Sequence, residues 1–269
     1  MKLPPPYSTI VQVTQRESAP WITMVHGASH DQRYFSSQVQ AFQQDYRLLL
    51  IDLPGHGQSA SLPGPYGFEE YAVSVLAAMD AAGVDESHYL GSHTGAAVAL
   101  ILASHRGQRF QSLALESAPI PGLDLPSVTE ALRRARATAR ELGIDAARAE
   151  WFEHGRWFEI IRKDPERCRA DQHRAMISEF SGRPWLDTTP AQPVAPLLDR
   201  LDSIHCPVLL INGEHDVEDF LLAAGELERR LPRVQRVTVA GAGGFPLWED
   251  PKHANDHIRR HLRDACMKS

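Results

Sequence analysis

The 269-residue chain reads as an α/β protein, a mostly parallel central sheet flanked by helices and interrupted once by a helical insert. Three observations predict this. Short apolar runs alternate with longer stretches of helical periodicity, the rhythm of strand–helix–strand units. Polar and glycine residues stand at the carboxyl ends of those runs, the edge along which open sheets bind ligands. After Pro119 the composition turns to Arg, Glu and Trp, and strand character returns only at Pro207.

The elements follow in order. Trp21–Val25 (WITMV) and Arg47–Ile51 (RLLLI) are unbroken apolar runs of strand length, as expected of strands covered on both faces. Residues 68–82 give a helix with Tyr71, Val75, Leu76 and Met79 on one face. Residues 88–91 form a strand, 96–104 a helix rich in Ala, Val and Leu, and 112–115 the next strand. Within the insert, 128–142 and 146–161 read as helices, the second carrying large aromatics, and 187–196 (DTTPAQPVAP) reads as the linker out. The rhythm then resumes with a strand at 207–212, a helix at 219–231, a strand at Val234–Val239 and a closing amphipathic helix at 253–265. The expected organisation is one core, residues 1–119 and 206–269, wearing a lid of residues 120–205.

Composition narrows the function classes. With 43% hydrophobic and 23% charged residues the chain is globular, which excludes global disorder. A net charge of −6 argues against a nucleic-acid surface. Cys168, Cys206 and Cys266 are odd in number and lack CxxC spacing, which excludes a disulfide scaffold or zinc ribbon and fits a reducing compartment. The opening MKLPPPYSTI lacks the apolar core of a signal peptide, and no apolar run approaches the roughly 20 residues of a membrane span. His215 and Asp216 are adjacent, but no ligand spacing accompanies them. The expectation is a cytoplasmic protein with a small-molecule partner, no nucleic acid or membrane partner, no cofactor, no metal, and a possible homodimeric state.

Four turns at strand ends carry the candidate chemistry. They are His26-Gly27-Ala28, then Asp52 to Ser59 (DLPGHGQS), then Gly91-Ser92-His93-Thr94-Gly95, and Gly213-Glu214-His215-Asp216. Their order and spacing resemble an α/β-hydrolase with a helical cap, of the small-substrate branch that includes ester, carbon–carbon bond and elimination enzymes. The resemblance covers almost the whole chain. It implies a nucleophile in the middle of G-x-Nuc-x-G on a strained strand-to-helix turn. It also implies an acid after a late strand and a histidine after the last one.

Two departures touch the chemistry. The elbow carries His93 at its tip, and Gly244 stands where the family's histidine belongs, leaving Asp216 in its family place. A Ser-His-Asp relay therefore cannot be drawn. Slipping the elbow to use Ser92 is disfavoured, because Gly91 and Gly95 flank His93 symmetrically. The expected arrangement is an Asp216–His93 dyad, the imidazole entering from the elbow side with a nitrogen within about 4 Å of the carboxylate or bridged to it by water. By resemblance, the oxyanion donors map to the backbone N–H groups of Ala28 and Thr94. His30, Ser92, Trp151, Trp157, Gly244 and Phe245 complete the candidate substrate-binding set. His26, Asp52 and His56 read as structural, His215 as incidental among 13 histidines, and Glu116 as a reserve acid.

Two chemistries fit such a dyad. His93 could activate water against an ester or acyl carbonyl, or take a proton from the substrate and trigger cleavage or elimination. The competing readings are a catalytically silent pseudo-hydrolase that binds a small ligand and, more weakly, an interaction protein without one.

Overall fold

The computed structural model describes residues 5–16 and 18–266, so residues 1–4 of the opening segment discussed above lie outside the described residues. The chain enters through β1 (Ser8–Val11), β2 (Trp21–Val25), α1 (Ser36–Phe42) and β3 (Arg47–Ile51). It continues through α2 (Phe68–Ala81), β4 (Ser87–Ser92), α3 (Thr94–Arg106) and β5 (Phe110–Glu116). Five helices then follow without a strand: α4 (Pro126–Glu141), α5 (Ile144–His154), α6 (Glu159–Lys163), α7 (Ala170–Ser178) and α8 (Arg183–Leu186). The second half of the sheet is built by β6 (Val208–Gly213), α9 (Glu218–Arg230) and β7 (Val234–Val239). The chain closes with α10 (Pro246–Glu249) and α11 (Pro251–Cys266).

The seven strands lie in the order β1-β3-β2-β4-β5-β6-β7, and every pair is parallel except β1 with β3. β2 and β3 are buried at every position but the first, which explains their unbroken apolar reading. The edge strand β1 (STIV) is half-exposed and too short to show a period, so it has no signature in the sequence. Helix α1 packs with α11 on one face of the sheet, burying Phe42, Ile258 and Leu262. On the other face α2 and α3 bury Val75, Met79, Val98 and Leu100, and the apolar stripe read from 68–82 is the buried one.

One expected helix is broken. Residues 146–161 form α5, a single 3-10 turn at Arg156–Phe158, and α6. Gly155 is the cause: it is extended at ψ 122°, and a Cβ there would stand 2.5 Å from the Trp151 carbonyl oxygen. The break turns Trp157 and Phe158 back toward the sheet.

The strand order reverses between β2 and β4, since β2 leads outward to β3 on one side and β4 leads to β5 on the other. A crevice opens at such a switch point, outside the carboxyl ends of the two strands. Here that point lies after Val25 and Gly91, which are paired neighbours. The turn that follows β4 fits only because Gly95 is bare, as a Cβ would come 2.0 Å from the Val25 carbonyl oxygen. Gly95→Ala is therefore expected to cost more than about 3 kcal/mol, read as a fall in denaturation midpoint or loss of folded protein.

Candidate active site

At the switch point the chain passes from β4 into α3 through His93, whose φ of 46° and ψ of −106° lie in a region costing a side chain of order 1–3 kcal/mol. The turn is pinned from both sides. His93 N–H donates to the Glu116 carbonyl at 3.0 Å, and Gly95 N–H donates to the His26 carbonyl at 3.1 Å. A Cβ on Gly91 would stand 2.7 Å from the Ala96 nitrogen, so both flanking glycines are required by close backbone approach. Ser92 is fully buried beneath the tip, with its hydroxyl beside Glu116 and Tyr34. The side chain presented by the elbow is His93.

The His93 ring borders an apolar cavity of about 230 Å³ and lies against Phe220 and Phe245, at ring separations of 4.8 and 4.7 Å. Its Nε2 is 2.8 Å from the carbonyl oxygen of Gly244. A carbonyl can only accept, so Nε2 carries the proton and Nδ1 is left as a lone pair. Among the described residues Nδ1 has no hydrogen-bond partner. Burial pulls the imidazole down to about 4 against the opposing pull of the Gly244 carbonyl, so the ring is neutral at neutral pH.

The expected contact between His93 and Asp216 is absent. Asp216 accepts instead from the Ser117 hydroxyl at 2.6 Å, the Asn212 amide at 2.9 Å and the Val217 N–H at 2.8 Å. Three donors solvate the carboxyl group without a histidine, and burial still raises it to about 6. Ser117, itself at φ 44°, also reaches the Gly244 carbonyl at 3.2 Å. Acid and imidazole are thus linked only through a serine and a carbonyl, and a carbonyl passes no proton. Nor does Gly244 leave vacant room: a Cβ there would stand 2.6 Å from Trp157 Cβ.

The N–H groups of Ala28 and Thr94 are taken by no acceptor among the described residues, and both residues border the cavity beside His93. The Ala28 carbonyl accepts from the Ser29 hydroxyl at 2.6 Å and from His30 Nδ1 at 2.7 Å. His30 Nε2 therefore presents a lone pair, and His173 Nε2 donates to it at 2.8 Å. Burial pushes His30 down to about 3 and His173 well below its ordinary value. Trp151 donates to Ser29 at 2.9 Å, so α5 and α7 both clasp the turn that carries Ala28. Trp151, Trp157 and Phe245 wall the cavity, whereas Ser92, Gly244 and Asp216 lie behind it.

The remaining sequence candidates sort by their partners. His26 accepts from Leu53 N–H and Asp52 from the backbone of Gln32 and Gln58, tying turns together. His56 donates to the Pro54 carbonyl. His215 is 56% exposed at the side chain and outside the cavity. Glu116 accepts from Tyr34 and from Leu247 N–H beneath the elbow, and burial raises it to about 8, so it supports rather than faces the site. Ser117, His173 and Phe220 were not singled out by sequence. Ser117 alone offered a signal, as the residue directly after a strand.

The sequence matches the α/β hydrolase fold family over residues 20–251. It is 26% identical over 253 residues to the putative carbamate hydrolase RutD of Stutzerimonas stutzeri (strain A1501), covering 92% of this chain and 93% of that one. It is 26% identical to 3-oxoadipate enol-lactonase 1 of Acinetobacter baylyi over 206 residues, 77% of this chain and 75% of the relative. The fold superposes on MenH from S. aureus with a TM-score of 0.83 at 21% identity, covering 96% and 98% of the two chains.

Gly244→His, which would put the family's residue back, is expected to destabilise the protein by about 1–3 kcal/mol through its clash with Trp157. Denaturant titration measures the loss. Neither this variant nor the parent should gain a fluorophosphonate label on Ser92 by peptide mass mapping, because that hydroxyl faces the core.

Proposed function

We propose that this chain, which belongs to the α/β-hydrolase fold family, is an enzyme that attacks the carbonyl group of a small, uncharged, largely apolar molecule. His93 serves as its catalytic imidazole. One observation carries the reading: His93, with its free Nδ1 lone pair, and Ala28 and Thr94, with unengaged N–H groups, border the same cavity. A carbonyl oxygen placed on those two donors is held where negative charge develops on attack. The Gly244 carbonyl takes over the orienting duty expected of Asp216, fixing tautomer and ring direction without adding charge.

Substrate class follows from the walls. The cavity is bordered by Phe68, Leu132, Trp151, Trp157, Phe158 and Phe220 among others, and no Lys, Arg, Asp or Glu among the described residues reaches it. A buried charge without a partner is costly, so the enclosed part of the substrate is neutral. About 230 Å³ is below the roughly 300–1,000 Å³ of drug-sized sites, which favours a small molecule. Between the two chemistries, acyl transfer is the better supported. An imidazole pulled down to about 4 is a weak base for removing a proton from carbon. The alternative is a silent ligand binder, which draws on the same cavity and on the missing acid behind His93.

A panel of short p-nitrophenyl esters tests the reading. His93→Ala should lose about 10²-fold or more in rate, and equal near-background rates for both proteins would favour the binder. Asp216→Asn should lose less than about tenfold, since the carboxyl touches neither ring nor cavity. The pH profile has a signature too. Burial favours neutral His93, so the active form persists on acidification until the ring protonates. The acid limb should therefore fall near pH 4 rather than near the ordinary 6.5.

A further inference from the structure

We infer that His93 Nδ1 is itself the nucleophile, taking the acyl group from an ester or thioester whose leaving group departs without needing a proton. The inference rests on the carbonyl-attacking reading above and adds the covalent step and the class of leaving group.

Two features put the attacking atom at Nδ1. His93 occupies the strained tip between Gly91 and Gly95, beside both oxyanion donors. Its Nε2 is held by the Gly244 carbonyl, so the one electron pair available at the tip is on Nδ1. No other group among the described residues of the cavity can activate water. Among the described residues the only other titratable one on its wall is His30, whose Nδ1–H is given to the Ala28 carbonyl and whose Nε2 is filled by His173.

The same census fixes the leaving group. In a serine relay the histidine that removes a proton later returns it to the departing oxygen. Here Gly244 supplies no side chain, and His93 has no proton to give except the one held by Gly244 O. The departing atom must leave as a stabilised anion, which aryl, enol and thiol leaving groups do and alkoxides or amines do not.

The step balances. The Nδ1 pair forms a bond to the carbonyl carbon, and the π pair moves onto the oxygen held by Ala28 and Thr94 N–H. Collapse breaks the carbon–leaving-group bond, whose pair departs on the aryloxide, enolate or thiolate. His93 is then an Nδ1-acyl imidazolium with Nε2–H still donating to Gly244. Water attacks the acyl carbon, the carbon–nitrogen pair returns to Nδ1, and both water protons pass to solvent as the carboxylate forms.

A stable adduct gives the test. Wild-type protein is incubated with p-nitrophenyl N,N-dimethylcarbamate, whose transfer to an imidazole gives a slowly hydrolysed product, and mapped by peptide mass spectrometry. Ester hydrolysis is followed in parallel on wild type and His93→Ala. The expected result is one carbamoyl group per chain, on His93, released with one equivalent of p-nitrophenol, and turnover of aryl esters and thioesters but not of alkyl esters. A label on another residue, or none, with hydrolysis still dependent on His93 overturns the covalent role and leaves the proposed function standing. Turnover of alkyl esters as fast as aryl esters overturns the leaving-group assignment. No His93-dependent hydrolysis of any ester overturns both readings.

Discussion

The hydrogen bond from His93 Nε2 to the Gly244 carbonyl is the contact on which the site depends. It decides which ring nitrogen holds the proton and where the free lone pair points, while burial keeps the imidazole neutral. Much of the neighbouring structure serves to place that one carbonyl. Ser117 reaches it from β5, and Trp157 packs on the Gly244 backbone from the helical insert. The loop on either side is held by carboxyl groups: Glu249 accepts from Gly243 N–H, and Glu116 accepts from Leu247 N–H.

Those carboxyl groups are buried, and burial raises Glu116 to about 8 and Glu249 to about 7. The site therefore contains titratable residues but little charge near neutral pH. His30, His93 and His173 are held neutral by the same loss of water. Neighbouring ionised groups in so dry a region would repel or demand partners. Hydrogen bonds with fixed donors and acceptors do the orienting that charge does in an acid–imidazole pair.

The helical insert is part of the site. His173 on α7 donates to the free lone pair of His30, Trp151 on α5 holds Ser29, and Trp157 closes the space over Gly244. Three contacts from separate insert segments thus converge on the turns that carry Ala28 and Gly244. A histidine at 244 and Trp157 at its present place exclude one another sterically, so the missing family histidine and the inward-folded aromatic are one feature seen from two sides.

By itself the sequence determined the sheet, most of its strands and helices, the order of the four polar turns, and the identity of the residue at the elbow tip. These are local or periodic properties: apolar runs of strand length, a 3.6-residue stripe in α2, and two glycines that a tight turn cannot replace. Ten residues were named for the site, and most of them face one cavity because strand-end turns must meet at a switch point. Tertiary structure alone decided who bonds to whom. That Asp216 turns to Ser117, Asn212 and Val217 while His93 turns to a backbone carbonyl has no signature in residue type, since every residue carries a carbonyl. The break at Gly155 and the His30–His173 bond likewise depend on packing between segments distant in sequence, where approach of a few tenths of an ångström selects one partner over another.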